Sequence, residues 1–448
     1  MSGLHATWWD AECAAALSDA ALLAAMQRYE GALALASERV GLIPAGMGAQ
    51  IAQACAAVQL DVDDLALAAR DSAVLTVPFV KQLTMRVAAV SPEAARWLHY
   101  GSTSQDVIDS ALSLCLREAG GRVLALLERL GEAAAGLAET HAGTPMAGRT
   151  LLQAAVPIPF GFKAAVWLGM CTRSRAQFAG VLRAACVLQA GGPVGTLSAY
   201  GGRGADLARE LGRELELPVP ATSWHAARDS YARLGAEAAI LAGAAGKIAR
   251  DVALMMQPEI GEAFEPAAAG RGGSSAMPHK RNPVGCTLAL EAAQRAPGLA
   301  ASLLGGMDSE HERGLGQWQG QMFVLRDLLA SCANGVAAMA EVLEGLRVEP
   351  QAMRANIDRL GGLAFSEAVA VALAAKLGKA EAHALTEALC ARAVREGITL
   401  EQALRGEARA LDALGADAVA GLFDPAGCFG AAATMIAAAV RDWRAAAG

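Results

Sequence analysis

Apolar residues recur at three- and four-residue steps along most of the chain, between residues that cap helices or form turns. A helix that buries one face has this spacing, so we expect medium-length helices over residues 19–41 and 45–70, and further helices up to about Val107. These elements define an N-terminal helical domain, residues 1–107.

The middle of the chain carries longer apolar stripes, for which ordinary core packing is the simplest interpretation. The stripes are Val123, Leu126, Leu127, Leu130 and Leu137; Tyr231, Leu234, Ala238, Leu241 and Ala245; and Leu325, Leu328, Val336, Met339 and Leu343. They predict long helices in a central helix-bundle domain, residues 108–348. Beyond Pro350 the pattern shortens and glycines interrupt it, which predicts a C-terminal helical domain, residues 349–448.

The composition of the 448 residues favours helices throughout. Hydrophobic residues make up 54% of the chain, aromatic residues only 4%, and Ala and Leu dominate. Such a chain can bury a large core by close helix packing, so the predicted fold is all-α, with three domains around a bundle of long helices. Surplus apolar surface on such helices is commonly buried between copies, so we expect a homo-oligomer.

Charge and cysteine usage exclude several classes of protein. The net charge of −7 argues against a nucleic-acid partner, which requires a broad basic surface. The longest uncharged stretch, residues 184–202, contains five glycines and Pro193, so no membrane span is expected. The nine cysteines include no CxxC pair and no secretion signal begins the chain, which predicts a cytoplasmic protein with reduced thiols.

The densest chemistry lies in one loop, Gly273-Ser274-Ser275-Ala276-Met277-Pro278-His279-Lys280-Arg281-Asn282-Pro283. Asn followed by Pro predicts a helix that begins near Pro283, because Asn caps free amides and Pro fits the first turn. Lys280 and Arg281 precede the positive end of that helix, so an arriving carboxylate meets a dipole and full charges together. A solvated glycine-rich turn with incidental basic residues is the alternative.

Three hydroxyl groups, those of Ser102, Thr103 and Ser104, stand directly before a helical pattern. They indicate either a capped helix start or a cradle for a carboxylate. The neighbouring His99 is either a structural hydrogen-bonding residue, the commoner case, or an acid or base.

Two further segments carry isolated polar side chains. Arg149, Thr150 and Gln153 punctuate an apolar stretch and are either buried structural contacts or ligands of the substrate. Arg313 has the planar fork that suits a carboxylate, although a surface ion pair is equally compatible. His311 and Glu312 lack a second histidine at helical spacing, so no metal site is expected.

The loop resembles the signature of the fumarase/aspartase superfamily, Gly-Ser-Ser-x-Met-Pro-x-Lys-x-Asn-Pro, at every fixed position. The segment from Ser102 to Asp106 resembles the superfamily's Thr-Ser-x-Asp segment. The resemblance implies proton transfer by Ser274, stabilisation of a charged intermediate by Lys280 and Asn282, and no cofactor. It also implies that Ser102, Thr103 and Ser104 contact substrate carboxylates. The further residues that we expect to contact the substrate are His99, Arg149, Thr150, Gln153, Ser275, Met277 and Arg313.

One acid pair of the related lyases is missing. Lyases that cleave C–N bonds typically have a histidine where this chain has Leu151, and a supporting glutamate where it has Thr287. An amine or hydroxide must be protonated to leave, whereas a carboxylate, with a conjugate-acid pKa of about 4, leaves as an anion. The missing pair therefore favours a carboxylate as the leaving group, as in the opening of a lactone.

That chemistry and several segments, among them residues 311–316 and 341–346, resemble the bacterial 3-carboxy-cis,cis-muconate cycloisomerase family. The resemblance implies a homotetramer with shared active sites and a small polycarboxylate substrate. Gln321-Met322 departs from the acidic residue and tryptophan expected there, which bears on the substrate's identity. A related lyase acting on a substituted succinate, adenylosuccinate lyase, and a catalytically silent structural relative are the alternatives.

Overall fold

The computed structural model describes residues 4–267, 272–273, 277 and 280–445, and helices dominate these residues, which confirms the all-α prediction. The short N-terminal helices are α1 (Ala11–Ala16), α2 (Asp19–Arg39), α3 (Met47–Ala57), α4 (Val62–Ala69), α5 (Thr76–Val90) and α6 (Pro92–Ala95). The middle holds α7 (Ser104–Thr140), α8 (Phe160–Ala185), α9 (Gly204–Leu215), α10 (Asp229–Met255), α11 (Val284–Gly305) and α12 (Gln317–Glu344). The C-terminal helices are α13 (Pro350–Asp358), α14 (Ser366–Leu377), α15 (Lys379–Glu396), α16 (Leu400–Arg405), α17 (Ala408–Leu414), α18 (Ala416–Gly421) and α19 (Ala432–Ala445).

The strands are short and pair locally. Strands β1 (Pro145–Thr150) and β2 (Gln153–Pro159) form an antiparallel hairpin, and β3 (Ala263–Phe264) pairs with β4 (Arg347–Val348). The long helices predicted from the three apolar stripes are present as α7, α10 and α12. The medium-length helices expected over residues 45–70 are α3 and α4, and α4 begins where Asp61 accepts hydrogen bonds from two amides.

The chain divides into two compact units. The first unit comprises Met1–Leu127, Ser174–Gly246 and Leu288–Ala337, and the second comprises Glu128–Arg173, Lys247–Thr287 and Ala338–Gly448. Each boundary between them falls inside one of the long helices α7, α8, α10, α11 and α12. The division into N-terminal, central and C-terminal domains stays a prediction.

In the first unit, α2 packs closely on α3. A Cβ atom on Gly48 would lie 2.7 Å from the carbonyl oxygen of Ala34, so only glycine permits this approach of the two helices. The Ser18 hydroxyl accepts a hydrogen bond from the Ala21 amide and fixes the start of α2. This packing holds Tyr29 and Glu30, two fully buried polar residues of α2, in the interior.

In the second unit, the hairpin turn is Leu151-Leu152, and both leucines have left-handed backbone angles, with φ of 51° and 64°. Their side chains are 96% and 78% exposed. A two-residue hairpin turn of this kind usually contains Asn or Gly, because a Cβ atom is strained at positive φ. The hairpin is not predictable from the sequence because its turn lacks those residues.

Helix α12 is long and apolar enough to cross a membrane by length and composition alone. Its most apolar window, with mean hydropathy 1.3, is 61% buried within the protein. That burial is typical of the core helix of a globular protein.

Candidate active site

A buried carboxylate, that of Asp106, organises the polar cluster of the first unit. Its oxygens accept hydrogen bonds from the amides of Gly191 and Gly192, at 3.0 and 2.9 Å, and from the Thr103 amide at 3.1 Å. His225 donates to it through Nε2 at 2.7 Å. Asp106 therefore joins the start of α7 to the loop around Gly191 and to the segment that precedes α10.

The three predicted hydroxyls lie at the start of α7 and differ in their engagement. Ser102 is hydrogen-bonded to the Tyr29 hydroxyl at 3.0 Å and to Asp106 at 3.4 Å, so it belongs to the structural network. The hydroxyls of Thr103 and Ser104 have no hydrogen-bond partner among the described residues, and both side chains are partly exposed. These two hydroxyls remain available to a ligand, as the cradle hypothesis requires.

His99 forms an ion pair with Glu30 beneath the same cluster. Its Nδ1 lies 2.7 Å from the Glu30 carboxylate, whose side chain is fully buried, while the imidazole is 20% exposed. Burial alone would lower the pKa of His99, but the charge of Glu30, the hydrogen bond to it and the charge of Asp106 together raise that pKa above its ordinary value. The geometry thus favours a protonated imidazole, a cation suited to an anionic ligand.

Arg313 precedes α12 and reaches the same loop from its other side. Its Nη2 donates to the carbonyl oxygens of Gly192 and Pro193, at 3.3 and 2.9 Å. Its Nε is buried and has no partner among the described residues. Arg313 therefore pairs with carbonyls rather than with a surface carboxylate, and its charge stays uncompensated near Asp106's loop.

A second buried network explains the unexpected Gln321. The guanidinium of Arg228 pairs with Asp109 at 2.6 and 3.0 Å, and its Nε donates to the Gln321 side-chain oxygen at 2.8 Å. Arg228 also lies over the rings of Trp224 and Tyr231, 4.9 and 4.7 Å from their centroids. Gln321 thus contacts a buried arginine, and an acid there would place a second charge beside it.

The second unit holds Arg149 in a bidentate pair with Glu262, at 2.8 and 2.7 Å, and Asn356 donates to the same carboxylate at 2.8 Å. Glu262 is fully buried and Arg149 is 26% exposed. Nearby on α8, burial lowers the pKa of Lys163 and the charges of Lys247 and Arg149 lower it further, although Asp251 opposes this. Arg149 therefore has a structural partner, and its predicted contact with substrate stays a prediction.

Thr150 and Gln153 flank the hairpin turn and are exposed. Leu151, at the position of the missing histidine, is the first residue of that turn. Its aliphatic side chain cannot donate a proton. Thr287, at the position of the missing glutamate, donates its hydroxyl hydrogen bond to the Pro283 carbonyl at 2.8 Å. Neither position supplies a proton donor of the kind that the related lyases use.

The signature loop is closed at its base by backbone contacts. The Asn282 amide donates to the Gly272 carbonyl at 2.8 Å, and Gly273 pairs with Arg281 as an isolated antiparallel bridge. Lys280 and Met277 are exposed, and the Lys280 amide donates to the Met277 carbonyl at 3.0 Å. The predicted residues Ser274 and Ser275 lie outside the described residues.

Helix α11 begins at Val284, which confirms the predicted helix start, but a protein carboxylate occupies its amides. Glu265 accepts hydrogen bonds from Gly285 at 3.0 Å and from Cys286 at 2.8 Å. The helix dipole that we expected an arriving carboxylate to meet is therefore already partly compensated by Glu265, and the expected contribution of Lys280 and Arg281 stays a prediction. Among the described residues of the loop, the cations that can contact a ligand are Lys280 and Arg281.

Three partners of the predicted site residues were not predicted from the sequence: Glu30, His225 and Glu262. Each comes from a segment distant in sequence, and each forms its contact only through tertiary packing. One sequence signal was available: a charged residue inside an apolar helical stripe, such as Glu30 in α2, indicates a buried group that needs a partner. Among the described residues, no group of three or more His, Cys, Asp or Glu side chains is arranged to hold a metal ion.

Comparisons with known proteins find relatives over nearly the whole chain. A family model described as "Lyase" matches residues 6–298, and one described as "Adenylosuccinate lyase C-terminus" matches residues 362–439. The chain is 44% identical over 422 residues, 94% of both chains, to a 3-carboxy-cis,cis-muconate cycloisomerase from Bradyrhizobium diazoefficiens. It is also 44% identical to a nitrosuccinate lyase from Streptomyces davaonensis, over 95% of this chain and 91% of the relative. Among solved structures, a 3-carboxy-cis,cis-muconate lactonizing enzyme from Pseudomonas putida matches with a TM-score of 0.94 at 37% identity, covering 100% of both chains.

The Asp106 network predicts the effect of removing its charge. Asp106→Asn keeps the side chain's shape but weakens hydrogen bonds from three amides and His225, so the free energy of unfolding should fall by about 3 kcal/mol. Chemical denaturation measures this change. Asp71→Asn, at an exposed aspartate, is the matched control and should change stability by less than about 0.5 kcal/mol. Equal effects of the two substitutions would contradict the assigned role.

The His99–Glu30 pair predicts a pH dependence with a definite sign. Because the pKa of His99 is raised in the folded state, its stabilising effect is fully present below the unfolded pKa of about 6.5 and is lost as pH rises through the folded pKa. The difference in unfolding free energy between the parent and His99→Gln should therefore be largest near pH 5.5 and shrink toward pH 9. A difference that grows with pH would refute the assignment.

Proposed function

Because the chain belongs to the fumarase/aspartase superfamily, we propose that it is a cycloisomerase that interconverts 3-carboxy-cis,cis-muconate and 4-carboxymuconolactone. The observation that carries this proposal is Leu151 at the position where the superfamily's C–N lyases have their acid. A reaction whose leaving group is a carboxylate proceeds without that acid. The identity to cycloisomerases over nearly the whole chain supports the same reaction.

In the lactonising direction, one carboxylate oxygen of the substrate adds to a carbon of its own conjugated double bond. A C–O bond forms, and the electron pair of the double bond moves toward the carboxylate that is conjugated with it. A proton from Ser274 then reaches the carbon that carries this charge, and solvent returns a proton to the Ser274 oxygen. In reverse, the proton returns to Ser274, the C–O bond breaks, and the carboxylate leaves as a stable anion.

The other residues act through charge and hydrogen bonding. Lys280 and Asn282 stabilise the negative charge of the intermediate, and a cation beside a developing oxyanion is among the largest contributions to such catalysis. Thr103 and Ser104 donate to a substrate carboxylate from the start of α7. His99 and Arg313 supply positive charge in the same unit. In the free protein His99 is paired with the Glu30 carboxylate, and Arg313 donates to the carbonyls of Gly192 and Pro193.

A nitrosuccinate lyase is the second candidate, and the 44% identity to such an enzyme favours it specifically. Removal of a proton beside one carboxylate and cleavage of the adjacent C–N bond would release nitrite, which is also stable as an anion at neutral pH. The absence of an acid at Leu151 is therefore compatible with both reactions. They differ in product, since only the second releases nitrite.

The test is a comparison of both substrates under the same conditions. With 3-carboxymuconate, loss of the diene absorbance is expected; with nitrosuccinate, colorimetric nitrite release should be absent or at least 100-fold slower in kcat/KM. Ser274→Ala and Lys280→Ala should lower kcat/KM by about 10²- to 10³-fold, since each removes a group that acts on the reacting charge.

The matched control is Lys81→Ala, an exposed lysine of α5, which should leave the rate unchanged. Unfolding curves of all the variants should coincide within about 1 kcal/mol. No diene loss at high enzyme concentration would reject the cycloisomerase. Full activity of Lys280→Ala would reject the role of the loop.

The protein acts, in this proposal, as a cytoplasmic homotetramer with shared active sites. Exposed apolar side chains on four of the long helices support association: Val166, Ile240, Leu304 and Phe323. Sedimentation equilibrium should give four times the 45.8 kDa mass of one chain. A monomeric mass at micromolar concentration would contradict the proposed assembly.

A further inference from the structure

Two consecutive residues of α2, Tyr29 and Glu30, hold the segment that leads into α7. The Tyr29 hydroxyl is hydrogen-bonded to the Ser102 hydroxyl at 3.0 Å, and the Glu30 carboxylate is hydrogen-bonded to Nδ1 of His99 at 2.7 Å. Tyr29 and Glu30 are both buried, so α2 makes these contacts from the interior of the first unit. One helix therefore fixes both ends of the segment from His99 to Ser102.

The backbone of this segment is strained at His99. Its φ is 55°, a left-handed conformation that is uncommon for a residue with a Cβ atom. Gly101 follows at a φ of 69°, where a Cβ atom would clash with the ring of Tyr200, and the Tyr200 hydroxyl donates to the Tyr100 carbonyl at 2.9 Å. Such a conformation persists only where the surroundings impose it, and it is concentrated at functional sites. The turn is therefore held in place, and the contact with Glu30 orients the imidazole.

The two imidazole nitrogens of His99 have different surroundings. Nδ1 contacts Glu30, whose other carboxylate oxygen is buried without a partner among the described residues. Nε2 has no hydrogen-bond partner among those residues and is open to solvent, since the side chain is 20% exposed. In a neutral imidazole whose Nδ1–H donates to Glu30, Nε2 is an acceptor and repels a carboxylate; in the protonated imidazole, Nε2–H is a donor. Protonation therefore decides whether His99 can bind an anion.

The groups around the pair favour the protonated imidazole. The charged and titratable groups nearest to it are Glu30 and Tyr29 on α2, Cys55 on α3, Asp106 on α7, Tyr100, Tyr200, His225 and, on the loop at Gly192, Arg313. Burial lowers the pKa of His99, but the charge of Glu30, its hydrogen bond and the charge of Asp106 together raise that pKa above its ordinary value. Burial also raises the pKa of Cys55 to about 12, and the pKa values of Tyr29 and Tyr200 well above their ordinary value. Those three groups stay neutral between pH 5 and 9.

We propose that Glu30 is a positioning residue that keeps His99 as a hydrogen-bond donor to a substrate carboxylate, so that binding is coupled to the uptake of up to one proton from solvent. This assignment rests on the proposed function in taking a polycarboxylate as the ligand. Glu30 holds Nδ1 and leaves Nε2–H to the ligand, together with the free hydroxyls of Thr103 and Ser104 further along the same segment. The imidazolium keeps its proton throughout, because the carboxylate that leaves the lactone is stable as an anion.

The coupling has a definite sign. Below the folded pKa of His99 the imidazole already carries its charge, and binding requires no further proton there. As the pH rises through that pKa, binding must first protonate the imidazole, so the affinity falls. Glu30→Gln keeps an oxygen that can accept from Nδ1 but removes the negative charge, which lowers the pKa of His99. The variant therefore loses affinity at a lower pH than the parent.

The experiment is isothermal titration calorimetry of the full-length protein with tricarballylate, a saturated tricarboxylate that cannot form the lactone. The parent should bind more tightly than Glu30→Gln by a ratio that is smallest at pH 5.5 and reaches about 3- to 10-fold at pH 7.5. The ligand's own ionisation affects both proteins equally and cancels in this ratio. Glu93→Gln, at an exposed glutamate of α6, is the matched control and should bind like the parent at both pH values.

Two further measurements separate positioning from a structural role. Titrations at pH 7.5 in buffers of different ionisation enthalpy count the protons taken up: the parent should take up a fraction of one proton, and His99→Gln should lose that uptake. This comparison requires no variant at Glu30 to fold. Glu30→Asp keeps the negative charge and should recover most of the parent's pH profile, although its shorter side chain weakens the contact. Circular dichroism confirms that each variant is folded.

Three outcomes would overturn the proposal. A ratio between parent and Glu30→Gln that is the same at pH 5.5 and 7.5 would make Glu30 a purely structural carboxylate. Equal proton uptake by the parent and His99→Gln would assign the uptake to another group. No saturable binding of tricarballylate by the parent at pH 5.5 would exclude the site. Because tricarballylate is not turned over, pH-dependent binding without any loss of 3-carboxymuconate would reject the proposed reaction and retain the role of Glu30.

Discussion

The buried carboxylate of Asp106 is the interaction on which the first unit's polar cluster depends. A buried charge is tolerated only when hydrogen bonds replace the water it has lost, and here three backbone amides and an imidazole do so. Because those donors belong to segments far apart in sequence, satisfying one carboxylate fixes their relative positions. The Asp106 network therefore fixes the start of α7, and the hydroxyls of Thr103 and Ser104 need no hydrogen bonds of their own to be held in place.

The cations of the candidate site fall into two classes once their partners are known. Arg149 and Arg228 are paired with buried carboxylates, so their charge stabilises the protein. Among the described residues Arg313 pairs with carbonyl oxygens and with no carboxylate, and Lys280 lies exposed on its loop, so their charge remains to be met by an anion. Such a division is consistent with a chain of net charge −7 that attracts a small carboxylate substrate through a few local charges.

The all-α fold, the long helices and the start of α11 could be predicted from sequence, because apolar periodicity and the Asn282-Pro283 pair are local signals. The hairpin at Leu151 could not, since its turn contains none of the residues that normally form one. Glu265 was missed for another reason: the amides of α11 looked free from sequence, and only tertiary structure brings a carboxylate to them. The roles of Glu30 and Glu262 likewise depend on contacts between distant segments.

The Leu151-Leu152 turn has a thermodynamic consequence for the isolated chain. Each leucine in a left-handed conformation costs about 1–2 kcal/mol, and leaving both side chains in water forfeits the gain that burial would give. An Asn-Gly turn would avoid both penalties without disturbing the strands. A solitary copy thus carries an unrelieved energetic deficit at this hairpin, and that deficit biases the equilibrium toward any state in which the two leucines are covered.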